Sequence, residues 1–568
     1  MKVLFFLLII VLAAGIAAGA VCFLRILLKP ARKSDYRPKS MEGGEEKDRA
    51  ERYARKLSAM VRYDTTSYPF SDRHPEQLQV ERFLGYHKVL EELFPLVHRH
   101  LEKVEISGSL LYCWRGKASD QPIVLMGHQD VVPVEGASWG SVPGYKAAEG
   151  KPDQTEEDKT GPDIPGESAL RHKRDRAEAV PGDEGDNTGI PEHSGETARR
   201  SEGGWKRPPF SGEIADGRVW GRGSVDTKCS CMAFFQAVEE LLREGFVPAQ
   251  DVYLSSSCTE EWGGPGCQAI IDELGRRGVR PWLVCDEGGG IYTDPMPGIR
   301  GNFAMIGVGE KGRANVRFVA RGKGGHASTP QKNSPIARLA AFVCDVEKHS
   351  PFQSRMEPAT RAMLEALAPS ASIPIRLVLQ NLWLFRLPIE LVTPRINGQA
   401  AAMLGTTITF TMASGSDAVN VFPQEATLGA NMRFVHHQDM KESLEIISRI
   451  ASRYGLETEV IQGAACSGKV DFKGRAFRYI EETVEKTFPG CVTSPYILTA
   501  ATDAAFYDAV CDNCIRFAPI IYGPEEKKGI HGRNEALPYD CLPGAVDFFK
   551  NLVIGLEGQE ELSRMPGT

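Results

Sequence analysis

Three short apolar runs in the 568-residue sequence each end in groups that bind metals or move protons. Ile123-Val124-Leu125-Met126 runs into Gly127-His128-Gln129-Asp130. Val252-Tyr253-Leu254-Ser255 runs into Ser256-Ser257-Cys258-Thr259-Glu260-Glu261, and Trp282-Leu283-Val284-Cys285 into Asp286-Glu287-Gly288-Gly289-Gly290. One His-x-Asp or one Glu-Glu pair commonly serves only as a hydrogen-bonded turn or a solvated loop. Three such segments after three separate runs suggest a shared pocket. Carboxylates gathered in one pocket repel and partly protonate, a conflict that a divalent cation removes. Mixed imidazole and carboxylate donors suit Zn²⁺, with Mn²⁺ or Co²⁺ as alternatives. Cys229, Cys231, Cys258 and Cys285 lack zinc-finger spacing, and Cys258 and Cys285 are expected to be small core residues.

The apolar runs have the length of buried strands, and residues 229–244 between them carry helical periodicity. Strands alternating with helices predict an α/β fold, a two-layer or three-layer catalytic domain around a largely parallel central sheet. In such sheets ligands bind beyond the carboxyl ends of strands, where all three acidic segments fall. A composition shift near Gly309 introduces alternating strand patterns at 314–320, 406–411 and 426–434, with helical segments at 336–346 and 359–367 between them. These predict a smaller inserted α+β domain over 310–437, interrupting a catalytic domain formed by 49–309 and 438–557. Residues 141–203 are rich in Gly, Pro and charge and nearly free of aromatics, so they are expected to be a disordered insertion. Residues 29–48 read as a linker and 558–568 as a tail.

Lys and Arg number 67 against 74 Asp and Glu, a net charge of −7. An acidic chain without a basic stripe excludes nucleic acid as the expected partner. The 13 cysteines are scattered and do not form a disulfide framework pattern. Val3 to Leu24 carries no charge, and as a helix it would span about 33 Å, enough to cross a bilayer. Residues 1–28 are therefore expected to be a single-pass membrane anchor, with a cleaved signal segment, and so a secreted form, as the alternative. Neither the flanking charges nor the run itself fixes the membrane face.

Beyond these readings, His128-Gln129-Asp130-Val131-Val132-Pro133-Val134 resembles the first signature of the M20 metallopeptidase family. Val219-Trp220-Gly221-Arg222-Gly223-Ser224-Val225-Asp226-Thr227-Lys228 resembles its second. His128 and Asp226 are 98 positions apart, or 35 with residues 141–203 set aside, close to the family's usual separation. The nearest branch is the carboxypeptidase S and N-acyl-amino-acid hydrolase group. The resemblance implies that the 310–437 insert is a lid and dimerisation domain and that the site holds two Zn²⁺ ions. His128 and Asp286 would hold one, Glu261 and His531 the other, and Asp226 would bridge them. Asp130 would orient His128, and Glu260 would be the general base. Thr259 stands where the family has Asp, which bears on how that loop is supported. Gly324-Gly325-His326-Ala327-Ser328 resembles the lid motif whose histidine stabilises an oxyanion across a homodimer. Asn420-Val421-Phe422-Pro423 and Arg433 resemble the site for a substrate carboxylate, and Thr502-Asp503 a supporting loop. The implied activity is that of a metallo-carboxypeptidase on short peptides. An N-acyl-amino-acid amidohydrolase is the near alternative, and an inactive membrane-tethered binding protein the remote one. No G-x-S-x-G elbow suggests a serine hydrolase.

Overall fold

The computed structural model describes residues 19–28, 31–38, 44–71, 73–134 and 204–557. The expected insertion at 141–203, the tail at 558–568 and most of the uncharged run from Val3 lie outside the described residues. Residues 19–28 are helical. Among the described residues, no helix is long and apolar enough to cross a membrane.

Apolar residues at successive positions of the three runs predict strands covered on both faces, and that is the arrangement found. Gln250–Ser256, Ala118–Met126, Leu283–Asp286 and Cys514–Arg516 lie side by side and parallel at the centre of a ten-stranded sheet. Odd-numbered Ile123 and Leu125 face a core shared with Phe234 and Ala237 of the Lys228–Arg243 helix and Phe549 of the Leu542–Ile554 helix. Even-numbered Val124 and Met126 face Ile270, Ile271 and Leu274 of the Gly266–Arg276 helix. Helices on both faces make three layers. Antiparallel strands extend the sheet, with Ser109–Trp114 beside Gln250–Ser256 and Asn302–Glu310 beside Cys514–Arg516.

The chain leaves this sheet after Asn302–Glu310 and rejoins it at Val492–Leu498, which pairs in parallel with the same strand. Between them is a four-stranded antiparallel sheet, ordered Thr407–Ser414, Glu425–Phe434, Gly312–Arg321, Leu456–Ala464. Leu339, Phe342 and Val346 of the Pro335–Lys348 helix and Ile447 and Ala451 of the Met440–Arg453 helix form its core.

Two features depart from the expected boundaries. The lid does not close at 437. The Met440–Arg453 helix and the Leu456–Ala464 strand belong to it, because Ile447 and Ala451 are buried against Phe318 and Leu428. Nor does all of 310–437 pack within the lid. Met363, Leu364 and Leu367 of the Pro358–Leu367 helix are buried against Phe303, Met305 and Val492 of the large sheet.

Candidate metal centre

His128 lies two residues beyond the Ala118–Met126 strand, and its ring is almost fully buried. Its Nδ1 is 2.9 Å from the Asp130 carbonyl oxygen and 3.4 Å from Asp130 Oδ1. A proton on Nδ1 satisfies both acceptors and leaves the Nε2 lone pair for a cation. Around Nε2 stand three carboxylates: Asp226 Oδ1 at 3.1 Å, Glu287 Oε1 at 3.4 Å and Glu260 Oε2 at 3.9 Å. The second oxygen of Asp226 is 3.2 Å from His531 Nε2, which is 2.9 Å from Glu261 Oε2. Asp226 therefore stands between the two histidines, one oxygen toward each.

Each arm of the cluster is held by its local sequence. Glu535 anchors Asp226 by accepting backbone N–H groups from Gly223 at 3.1 Å, Val225 at 2.8 Å and Asp226 at 3.1 Å. Its other oxygen is paired with Arg222 at 2.6 Å. Gly223 has φ of 88°, a conformation that aims its N–H at that carboxylate and that side chains rarely adopt. Glu260 and Glu261 open a 3₁₀ turn whose N–H groups donate to Asp130 Oδ1 and Oδ2, both at 3.2 Å. Ser67 Oγ donates to the same carboxylate at 2.6 Å. Thr259, where the family pattern has Asp, accepts the Gly266 N–H at 2.8 Å and so ties this turn to the next helix. His531 sits at φ of 56°, an uncommon left-handed position for a residue with a side chain.

The cluster's electrostatics follow from this crowding. Burial, with the charge of Asp226, raises the Glu287 carboxyl to about 7 and that of Glu261 to about 6. Burial also lifts Glu260 well above the carboxylate range, and Glu287, Asp503 and Glu261 add to it. Burial opposes ionisation of Asp226 as well, yet hydrogen bonds from His128 and His531 hold its carboxyl below the usual range. Hydrogen bonds to Asp226 and Glu261 raise His531 to about 10. His128 is also raised, because Glu287 and its hydrogen-bond partners outweigh its burial.

Divalent cations fit these donors. His128, Asp226 and Glu261 offer ligand atoms within 4.8 Å of one another, and so do His128, Glu260 and Glu287. Oε1 of Glu261 is buried and has no hydrogen-bond partner among the described residues. An orphaned carboxylate oxygen beside two imidazoles is the donor that a cation would satisfy.

One expected ligand is corrected. Asp286 ends the Leu283–Asp286 strand, and its Oδ2 accepts the Ala504 N–H at 2.8 Å. The adjacent Glu287 faces His128 instead. The glycines that follow permit this sharp exit. A side chain on Gly289 would collide with the Arg516 carbonyl oxygen. Sequence patterning assigns no role to Glu535. Its signal, an acid four residues after a candidate ligand, became legible only with its burial. Thr502 and Asp503 flank the site as support. Thr502 binds Glu310, the buried partner of Arg516, and Asp503 accepts the Ser257 hydroxyl, while burial raises Asp503 to about 8.

The lid residues form a separate group. His326 is exposed on the Gly325–His326 strand, which pairs with Val421–Phe422, and the Ala327 N–H donates to the Asn420 carbonyl at 2.9 Å. Among the described residues, neither His326 nor Asn420 touches the cluster. Arg433 lies opposite Arg313 in the lid sheet, and its Nε donates to Asn431 at 3.1 Å. Arg313 packs so closely on Gly263, just after Glu260–Trp262, that a side chain there would collide with its guanidinium. Arg313 thus brings the lid sheet against the turn that carries Glu260, while Arg433 neighbours Arg313 within that sheet.

Comparison with known proteins agrees with this geometry. The model for peptidase family M20/M25/M40 matches residues 197–554. A probable carboxypeptidase S-like 2 of Dictyostelium discoideum is 28% identical over 513 residues, covering 89% of this chain and 85% of that protein. The human N-fatty-acyl-amino acid synthase/hydrolase PM20D1 is 32% identical over 364 residues, covering 63% of this chain and 72% of that protein. Among solved structures, the M20 family metallo-carboxypeptidase Sso-CP2 of Sulfolobus solfataricus superposes with a TM-score of 0.57 at 15% identity, covering 89% of this chain and 99% of that one. Human carnosine dipeptidase 1 also gives 0.57, at 11% identity, covering 90% and 97%.

Proposed function

The chain belongs to peptidase family M20/M25/M40 and is a metallopeptidase/amidohydrolase, and from that premise we propose that it cleaves the amide of N-acyl amino acids with an apolar acyl group. Water is added across the C–N bond, giving a carboxylate and a free amino acid. A cavity of about 440 Å³ carries the choice of acyl group. Met305, Met363, Leu364, Leu367 and Leu379 line it, and Tyr292 and Tyr496 form part of its wall. Tyr292 lies near enough to the cluster for the charges of Glu287 and Asp226 to raise its hydroxyl pKa, behind the larger effect of burial. An apolar tail in that cavity would leave its carbonyl end near the carboxylates.

Two Zn²⁺ ions, one held by His128, Asp226 and Glu287 and one by Asp226, Glu261 and His531, would polarise the amide carbonyl and acidify water. Glu260 accepts the proton of the attacking water and returns it to the leaving nitrogen. Its raised pKa suits a group that must hold a proton between the two steps. Asp130 keeps Glu260 and His128 in register. Arg433 would bind the free carboxylate of the amino acid through its planar fork, with Asn420 beside it. His326 and Asn420 would complete the site across a homodimer joined through the lids, with His326 donating to the oxyanion.

Short peptides remain the second reading, favoured by the carboxypeptidase S-like relative, since the same carboxylate lies next to a peptide bond. Release of phenylalanine from N-oleoyl-phenylalanine, N-acetyl-phenylalanine and glycyl-phenylalanine separates the two. The proposal expects the long-chain substrate to have the highest kcat/KM. A preference for the dipeptide would replace it with the peptidase reading.

A further inference from the structure

The Leu382–Ile396 helix is apolar on two sides. Ile389 and Thr393 face the cavity, while Trp383, Leu384, Leu387, Leu391 and Val392 are exposed to solvent. Leu384, Leu387 and Leu391 follow helical spacing and form one outward stripe. Leu387 is 61% exposed and Leu391 59%, unusual for leucines in a row on a protein surface. A helix that is apolar on its outer side as well as its inner one needs an apolar neighbour there too.

The helix at 19–28 shares this surface. Arg376 donates to the Ile26 carbonyl at 2.8 Å, Asn381 to the Cys22 carbonyl at 3.4 Å, and Arg25 to the Gln380 carbonyl at 3.5 Å. Its Phe23, Leu24, Leu27 and Leu28 are exposed. The uncharged sequence from Val3 to Leu24 therefore ends on this same apolar surface. The charge around it has one sign. Within 373–404 the only acid is Glu390, which is buried, accepts the Met356 N–H at 2.8 Å and pairs with Arg386 at 3.3 Å. Arg386 and Arg395 lie on the Leu382–Ile396 helix, and Arg25, Arg32 and Lys33 on the described stretches 19–28 and 31–38.

We infer that the outer face of the Leu382–Ile396 helix, with the exposed side of the 19–28 helix, rests in the headgroup and acyl-chain boundary of an anionic bilayer. An apolar stripe with tryptophan, rimmed by arginine, is the composition that favours this interface. A second copy of the chain would bring like charge against like charge. The surface lies on the membrane and does not span it.

Trp383 reports the contact directly. Full-length protein is reconstituted in phosphatidylcholine–phosphatidylserine vesicles with and without bromine on the acyl chains, and emission is compared with that of Trp383→Phe. The expected result is quenching of roughly half or more of the Trp383 contribution by brominated lipid. Unquenched Trp383 emission in vesicle-bound protein overturns the inference. A Leu384→Glu/Leu387→Glu/Leu391→Glu variant retains Trp383 and, with an unchanged melting temperature and unchanged hydrolysis of N-acetyl-phenylalanine, should lose that quenching. If it keeps the quenching and instead converts a dimer to a monomer in sedimentation, the surface is a protein interface and the inference fails.

Discussion

Asp130 Oδ1 accepts the backbone N–H of Glu260 at 3.2 Å and stands 3.4 Å from His128 Nδ1. One carboxylate thus sets both the imidazole that faces the cluster and the turn that carries the general base. Asp130→Ala should lower metal affinity or kcat by about 10–100-fold. Asp130→Asn keeps the shape and one acceptor, so it should lose less. Zinc titration alongside initial rates separates loss of metal from misplacement of Glu260. Unchanged affinity and rate in both variants would remove Asp130 from the site.

Glu260→Gln keeps the size of the side chain and removes its ability to carry a proton. Metal content should persist, while kcat for any amide substrate falls about 10²–10⁴-fold. Full activity in this variant would place the base elsewhere.

Metal binding should strengthen as pH rises. Glu287 and Glu261 have carboxyls raised to about 7 and about 6, and His531 is raised to about 10. In the metal-free protein at pH 5.5 all three carry protons that a cation must displace, whereas at pH 8 His531 is the one of the three still protonated. Calorimetry in buffers of different ionisation enthalpy should therefore find more protons released per ion at pH 5.5 than at pH 8, with weaker binding at the lower pH. Equal proton release at both would contradict the assignment of these groups.

Filling the cavity should act on the acyl group alone. Leu364→Trp adds bulk where Leu364 lines the wall. Turnover of N-oleoyl-phenylalanine should fall about tenfold or more, from overpacking that excludes the tail. Turnover of N-acetyl-phenylalanine should stay within about twofold. Equal losses on both would separate the cavity from substrate binding.

The lid residues should show their role in mixtures. His326→Ala and Glu260→Gln chains are each expected to be poorly active alone. If His326 acts across a dimer, refolding them together pairs an intact base with an intact histidine and restores part of the activity. No recovery over either parent alone would place the two residues in the same chain's site or remove His326 from the reaction.

Much of this arrangement was legible in the sequence because two-sided burial leaves continuous apolar runs. The strands at 123–126 and 252–255 and the helix beginning near Cys229 are found where periodicity puts them. The acids after those strands converge because parallel strands end on one side of the sheet. The Asp286-Glu287 pair was harder. Successive side chains at a strand end point to opposite sides, so a shift of one residue exchanges the acid facing His128 for the one bound to Ala504. The lid boundary at 437 failed for a similar reason. The Met440–Arg453 helix and Leu456–Ala464 strand have the same pattern as catalytic-domain elements, and only their burial against Phe318 and Leu428 assigns them. Glu535 acts on three backbone N–H groups, a contact that its place four residues after His531 does not reveal without its burial.

The metal content of the purified full-length protein tests the central claim most directly. Elemental analysis of the zinc-reconstituted wild type, Glu287→Gln and Asp286→Asn should give two ions per chain for the wild type, about one for Glu287→Gln and two for Asp286→Asn. A wild type that holds no ion, or a loss of metal in Asp286→Asn with full loading of Glu287→Gln, would contradict it.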